Sequence, residues 1–397
     1  MTDPLKRTIG LGLLTTYGVG VMVGAGIYVL TGAVAGLAGI WAPFAFLLAG
    51  LVAAPTALSY AEFSTRVPEA AGEAAYVRRG FGHDWIGTLV GLAIVAAGTI
   101  SAAAVLRGGT GYLLGIIDLP FGPTACMMGI LLTGVAIWGA MESLALAAVF
   151  TVIEIAGLGL IIWAGASFGL QPDAIAVNPP PEIMPVAGIG AAAVLAFFAF
   201  IGFEDIVNMA EEVRNPLRTL PRAILISLAI TSVLYALVSW AAVRVVPAAD
   251  LAASEQPLAL VWQQARGGNA AFLSAIAVFA ALNGVLAQIV MASRVLFGLG
   301  KNGGSLAIFH HAHPRFGTPV LATVLVGLAV IAAALVLPVA VLAEATSTVL
   351  LIVFVLVNAA LIAVKRTGSS APFTVPDWVP WIGLVLPLGA LALGVIG

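Results

Sequence analysis

The sequence predicts an all-α polytopic membrane protein of about eleven helices, in which two five-span repeats of opposite orientation are followed by one extra C-terminal span. Three observations lead there. The chain of 397 residues is 61% hydrophobic and 9% charged, with a mean hydropathy of +1.13, whereas a soluble domain carries about 25% charged residues. Apolar runs of about 20 residues, long enough to cross roughly 30 Å of hydrocarbon as a helix, recur along the whole chain. Two of these runs, five spans apart, are interrupted by glycine, which is the sequence signature of an inverted repeat.

The spans are the apolar runs between polar punctuation. They lie near 10–37, 41–63, 84–106, 123–140, 145–169, 187–209, 221–246, 270–298, 318–337, 340–364 and 379–396. The first repeat covers about 10–169 and the second about 187–364, with 379–396 as the extra span, all in one transmembrane domain over 1–397. A signal peptide is the rival reading of the first run, because Lys6 and Arg7 precede it and Ala33-Val34-Ala35 imitates a cleavage site. The run is too long for the apolar region of a signal, so it reads as the first span.

Lysine and arginine set the orientation. With the N-terminus in the cytoplasm, all but Arg107, Arg244 and Arg266 of the 16 basic residues fall inside, as the positive-inside rule requires. The expectation is a multi-pass protein of the cytoplasmic membrane, with Gly397 outside. Residues 59–82, SYAEFSTRVPEAAGEAAYVRRGFG, are too charged to cross and read as a short amphipathic helix along the cytoplasmic side. His310, His311 and His313 read as a solvated loop, since a metal site needs positioned partners. The single cysteine, Cys126, cannot form an intramolecular disulfide. A net charge of -2 without a basic tract offers nucleic acid no footprint.

The first disturbed segment is GVGVMVGAGIYVLTG, residues 18–32, with glycine at 18, 20, 24, 26 and 32. Each glycine inside a helix costs about 0.5–1 kcal/mol relative to alanine. Taken alone, the Gly20 and Gly24 spacing suits a close packing face as well as a break. The second segment is FFAFIGFEDIVNMAEEVRNP, residues 197–216, where Gly202 interrupts an aromatic run and Glu204 and Asp205 follow at once. A charged side chain at mid-membrane costs about 2.5–3.5 kcal/mol on insertion scales, so these acids must face protein or water. Helices break at this depth only where the freed backbone groups line a cavity or find buried partners. Freed N–H groups attract a carboxylate and freed carbonyls attract an ammonium. A zwitterionic amino acid carries both.

Several blocks, in order, resemble a known superfamily: GAGIYVLTG (24–32), SYAEF and RVPEAAGEAAY (59–76), GAMES (139–143), FAFIGFEDIVNMAEEVRNPLRTLPRAI (198–224) and HPRFGTP (313–319). The chain is similar to the amino acid-polyamine-organocation transporters, closest to their amino-acid permease and cationic amino-acid transporter branches. The resemblance spans residues 18 to about 366 and implies a LeuT-like five-plus-five inverted repeat with substrate between spans one and six. It puts Gly24, Ala25, Gly26 and Ile27 around the substrate carboxylate, and turns the carbonyls of Met22, Phe198 and Ile201 toward the α-amino group. Phe198 is implied to lie against the substrate, flanked by Phe200 and Phe203, with packing as the alternative for each ring. Many relatives carry serine where Ala25 stands, so here the carboxylate depends on backbone donors.

Glu204 matches an acid that relatives carry after the GF or GV of the sixth span. It is a candidate for a proton- or substrate-responsive group, with a fixed structural hydrogen bond as the rival reading. Asp205, about 100° round a helix from it, reads as a structural partner. Glu154, in VFTVIEIAGLGL, lies in the fifth span where some proton-coupled relatives carry lysine and others an uncharged polar residue. Its expected role is coupling to protons or pairing with backbone freed in span one, against a passive hydrogen bond. Glu62, Glu69, Glu73, Glu142, Glu211 and Glu212 are expected to pair with Arg66, Arg78, Arg214 or Arg218 as an inward latch, each exposed pair worth about 0–1 kcal/mol. Asn283, Met291, Glu344 and Thr346 are candidates for lining the cavity, although helix packing accounts for each as well.

These readings point to a secondary active amino-acid transporter working by alternating access, coupled to a proton or another monovalent cation or exchanging substrates. It uses no other cofactor, and its partners are the small-molecule substrate and the lipid bilayer. The alternative is a carrier of cationic amino acids or polyamines in which Glu204 meets the substrate charge. A channel would show polar rings in uninterrupted spans. An enzyme would need a nucleophile and base or metal ligands within the spans, and the 4 histidines all lie outside them.

Overall fold

A computed structural model describes residues 9–67, 72–138, 144–168, 185–210, 212–300, 304–314, 316–368 and 370–396. The elements in chain order are α1 (Leu11–Ala38), α2 (Ala42–Arg66), α3 (Gly72–Phe81), α4 (Asp84–Leu114), α5 (Phe121–Trp138), α6 (Leu144–Phe168) and α7 (Val186–Phe197). Two short 3₁₀ segments, Phe198–Phe200 and Glu204–Met209, continue α7. Then come α8 (Pro216–Val245), α9 (Ala248–Ala253), α10 (Pro257–Arg266), α11 (Ala271–Gly300), α12 (Val320–Val336), α13 (Val339–Arg366) and α14 (Trp378–Ile396). The described residues form no strand, only an isolated bridge between Ile9 and Val213.

Every expected apolar run coincides with a helical segment. Among the described residues, 8 helical stretches are long and apolar enough to cross a membrane, and Leu11–Gly24, Val320–Val336 and Trp378–Ala392 are shorter apolar helices. Two boundaries differ from the sequence reading. The run expected to end at 106 continues as α4 to Leu114, because Gly108, Gly109 and Gly111 are buried contacts and not a turn. The run expected from 221 opens at Pro216, since proline is tolerated in the first turn, where no intrahelical donor is needed. Of the polar stretch 59–82, only residues 72–81 form the expected separate helix, while 59–66 continue α2 and are mostly buried.

Side-chain sizes are sorted as a bilayer demands. Small residues face inward, so that helices approach closely without a hydrophobic drive between them: an added Cβ at Gly108 would strike Val29, and one at Gly109 would strike Ala281. Large apolar side chains face outward, with Leu51, Ile130 and Val152 each more than 60% exposed. On a soluble protein such a surface would aggregate. Here it meets lipid.

Helix α4 packs on α11 and α13, and α2 on α8, while α1 is enclosed by α8, α6, α9, α7 and α11. The short α9 and α10 cover the end of α1, where Gly32 lets it approach Leu251. Two polar ties hold α2 to α13. Asn358 donates to Thr56 Oγ1 at 2.9 Å and accepts from Ser59 at 2.6 Å. At the end of the pair, the fully buried Glu62 accepts from Arg66 Nη2 at 2.6 Å and from the Val375 N–H at 2.8 Å, and pairs with Lys365 Nζ at 3.1 Å.

Replacing Glu62 by glutamine leaves these cations facing a neutral amide in a dry site. A hydrogen bond to a charged group is worth about 1.5–3 kcal/mol, and at least that much stability should be lost. The thermal midpoint in detergent checks this, and an unchanged midpoint would show that the clasp is idle.

The expected pairing with an arginine is present at Glu62, within α2, and absent at Glu73. Among the described residues no ion pair joins Glu73 or Glu212 to an arginine, and Arg78 lies 3.9 Å from Asp84 instead. Glu69, Glu142 and Glu211 and the GAMES block lie outside the described residues.

Candidate functional site

Helix α1 is broken at Gly24, whose angles of φ -5° and ψ -160° belong to no helix. An added Cβ there would meet nothing within 4 Å, so this backbone faces open space. Two residues on, an added Cβ at Gly26 would sit 3.2 Å from the Cα of Ala199. That glycine lets the two disturbed segments touch. The second break follows directly: α7 ends in the Phe198–Phe200 turn, Ile201 is extended at ψ 131°, and Gly202 takes φ +123°. Only glycine adopts that last value without strain. Gly202 in turn lies against Met22, whose nitrogen would be 3.2 Å from an added Cβ. The remaining glycines of the opening run serve packing, with Gly18 against Ile206 and Gly20 against Thr151.

Both readings of that run are thus correct, at different residues.

Three buried tyrosines donate to backbone carbonyls around the breaks, one of them to the broken segments themselves. The Tyr235 hydroxyl reaches the carbonyl of Met22 at 2.6 Å and that of Ala199 at 2.8 Å, one on each broken segment. A hydroxyl has one proton to give, so it cannot satisfy both carbonyls fully. Acceptor capacity is left over between the breaks. Tyr28 donates to the Glu154 carbonyl at 2.9 Å, and Tyr112 donates to the Tyr28 carbonyl at 2.8 Å. None of the three was singled out from sequence. Their signal was there, because a phenol within an apolar span must find a buried partner.

The residues named from sequence fall into distinct surroundings. Met22, Gly24, Ala25, Gly26 and Ile27 lie on α1 at the break, with the Met22 and Ile27 side chains buried. Phe198 is 3.7 Å from the Cβ position of Gly26, and its carbonyl accepts from the Ile201 N–H at 3.3 Å. Phe200 packs edge-on against Tyr235, and Phe203 packs between Tyr60 and Phe354. Glu204 is buried and accepts from the Gly202 N–H at 3.0 Å, capping the second break. Glu154 is 1% exposed, and neither of its carboxylate oxygens has a hydrogen-bond partner. Of the span-ten candidates, Glu344 is exposed and Thr346 bonds back to Leu342.

Beside the second break lies a narrow pocket between α3, α4, α11, α13 and the Glu204–Met209 segment. Its polar lining is Glu73, Ser101, Glu204, Asp205 and Gln288, and Met291 is among its apolar walls. It has room for about one water molecule. Asp205, expected to be a mere partner of Glu204, faces this space with it.

Glu73 is buried on the loop helix and accepts from Tyr60 at 3.3 Å. Burial pushes its carboxyl up from 4.5 to about 7. The titratable groups facing it are Tyr60 from α2, Tyr76 on its own helix, and Glu204 and Asp205 from the 3₁₀ segment, and no cation lines the pocket. The docked helix holds a proton that the undocked one gives up. Docking therefore loses stability as pH rises from about 4.5 to about 7, and the loss is complete above that. Amide exchange over residues 72–81, corrected for its intrinsic pH dependence, should be slower at pH 5 than at pH 8, and Glu73→Gln should flatten the difference.

Comparison with known proteins agrees with this architecture. The amino acid permease family matches residues 11–396. The chain is 31% identical to the vacuolar cationic amino acid transporter 4 of Arabidopsis thaliana over 84% of its own length and 58% of that protein. It is 30% identical to the branched-chain amino acid permease BcaP of Bacillus subtilis, over 93% of this chain and 83% of BcaP. It is also 29% identical to the methylthioribose transporter of Bacillus subtilis, over 96% of this chain and 86% of that one. The chain thus spans little more than half the length of the plant relative and most of the bacterial ones. These relatives are transporters and not enzymes, and with an all-helical, lipid-suited fold and a match over nearly its whole length, the chain belongs to the amino acid permease family.

Proposed function

We propose that the protein is a secondary active amino-acid transporter that works by alternating access. The single observation that carries this reading is the pair of breaks at Gly24 and Gly202, which lie against each other through Gly26, Ala199 and Met22. The substrate carboxylate takes the N–H groups of Ala25, Gly26 and Ile27, where a helix begins again and its dipole favours an anion. The α-amino group takes the carbonyls of Met22, Phe198 and Ile201. Tyr235 supports that role, since its one proton leaves acceptor capacity at Met22 and Ala199.

The transporter core is a five-plus-five inverted repeat over about 10–169 and 187–364, set in the cell membrane with the N-terminus and α3 on the cytoplasmic side. Glu154 is the coupling group, loading a proton that its two unpartnered oxygens would otherwise lack. Glu204 responds to the loading of the site through Gly202. Uptake of labelled amino acids into proteoliposomes tests the reading. Saturable uptake that quickens several-fold under an inward proton gradient is expected, and Glu154→Gln should remove the effect of the gradient. Uptake no faster than into protein-free liposomes would overturn the transporter reading, and an unchanged gradient effect in the variant would remove Glu154 from coupling.

A further inference from the structure

Helix α14 stands outside the two proposed repeats, and the substrate grip proposed above makes no use of it. The chain that leads into it is nevertheless bound in by charge. Between α13 and α14, Val375 is buried and uses both of its backbone groups. Its N–H donates to Glu62 of α2 at 2.8 Å, and its carbonyl accepts from Lys365 of α13 at 2.6 Å. The Phe373 carbonyl accepts from Thr65 of α2 at 3.4 Å. Helix α14 then packs along both partners, and Gly383 is pressed against the Asn358 side chain so closely that a Cβ there would overlap it. Asn358 is the residue that ties α13 to Thr56 and Ser59 of α2. The connection thus crosses the seam between α2 and α13 at its end, and α14 backs the same seam further in.

The network at the end of the seam has no spare valence. A carboxylate offers about four acceptor positions. On the fully buried Glu62 they are taken by Arg66 Nε and Nη2, Lys365 Nζ and the Val375 N–H. An ammonium has three protons to give, and those of Lys365 are met by Glu62, the Val375 carbonyl and Asp377. In a dry site such a set does not loosen one bond at a time, because the loss of any partner strands a buried charge. The neighbouring seam, under α3, is held differently. Glu73 accepts a long bond from Tyr60 at 3.3 Å, and the ion pair of α3 among the described residues is the exposed 3.9 Å contact of Arg78 with Asp84. Elements that must move in a working cycle are drawn from the weakly held end of a structure.

We propose that α14 and residues 370–377 before it are a brace that keeps α2 and α13 together as one body throughout the transport cycle, so that the cytoplasmic side opens past α3 and not between α2 and α13. The inference rests on the transporter reading and adds to it the seam along which that side opens. Phe203, next to Glu204, packs between Tyr60 of α2 and Phe354 of α13. The braced pair therefore gives the segment after the second break a fixed wall on one side and leaves it free to move on the other. In the proposed repeats α2 belongs to the first and α13 to the second, so the brace also joins the two at their cytoplasmic ends.

Spin labels test this in the full chain with Cys126→Ser, once the labelled protein is reconstituted and shown to keep the parent uptake rate. One pair, Val67→Cys with Thr367→Cys, reports on the ends of α2 and α13. The other, Arg79→Cys with Thr367→Cys, reports on α3 against α13. Electron paramagnetic resonance reads both distances at pH 5 and pH 8, without ligand and with leucine or arginine in excess. The first pair should show one unshifted distance throughout, while the second gains a longer population at pH 8, where docking of α3 is weakest. Lys365→Met, which leaves Arg66 and the Val375 N–H on Glu62, should give the first pair a second, longer distance and lower uptake several-fold with a parent-like elution profile. A second distance between Val67 and Thr367 without that substitution overturns the brace, and so does a single unchanged distance with it. If neither pair moves under any condition, nothing opens past α3 and the proposal falls. Absence of amino-acid flux strikes the transporter reading instead, and the distances still decide whether α2 and α13 are one body.

Discussion

Gly202→Val abolishes transport, to below about a tenth of the wild-type rate, and destabilises the protein. The cause lies in the backbone. Gly202 sits at φ +123°, and the new side chain would press on the Val21 side chain and on Met22 N, 3.2 Å from its Cβ. Holding a β-branched residue at such angles costs about 1–3 kcal/mol, before the displacement of α1 is counted. The segment escapes by rotating toward a regular helix, which closes the second break and moves Ile201 and Glu204 away from the first. Gly134→Ala is the matched control. Gly134 is helical, exposed and free of neighbours within 4 Å of an added Cβ, so alanine there should be neutral or stabilising by up to about 1 kcal/mol. Uptake rate and melting temperature, measured on both variants, check the contrast.

Tyr235→Phe lowers transport by roughly tenfold while the protein stays folded. The ring stays in place, held by Phe46 and Phe200 at centroid distances of 5.8 and 5.2 Å. Only the hydroxyl is lost, and with it the tie from α8 to the Met22 and Ala199 carbonyls. Those carbonyls keep no donor from that side, at a cost of about 1–3 kcal/mol. The two broken segments are then free to drift relative to each other, and 1.4 kcal/mol of misplacement is a factor of about ten in rate or affinity. A rise in half-saturation constant with a nearly native melting curve is the expected pattern. Unchanged kinetics would mean that Tyr235 merely packs.

The spans could be read from the sequence because the bilayer imposes one simple demand, a run of apolar residues long enough to cross it. The breaks were legible for a related reason. A glycine followed by acids at membrane depth, as in Gly202-Phe203-Glu204, is too costly to leave in an ordinary helix. Other features depend on partners far away in sequence. Glu62 looks like an exposed helix-end acid until Lys365 and the Val375 N–H are brought to it. Glu73, in a stretch of alternating charge, reads as solvated, and nothing nearby shows that Tyr60 and the 3₁₀ segment enclose it. Tyr235 lies in a plain apolar run, and its role appears only when α8 is laid across both breaks. The short α9 and α10 span 6 and 10 residues, too few for a periodic pattern to stand out from a loop. Gln288 carries no more sequence signal than its neighbours Asn283 and Met291, because helix periodicity alone does not say which face of α11 meets the pocket.

The central claim is that the two interrupted helices hold the substrate by their main chain. An experimental structure of the protein with a bound amino acid tests it most directly. The account predicts the carboxylate within about 3 Å of N–H groups of Ala25–Ile27, with the α-amino group against the Met22, Phe198 and Ile201 carbonyls. A ligand seated away from both Gly24 and Gly202, or straight helices through those two residues with the ligand in place, would contradict it.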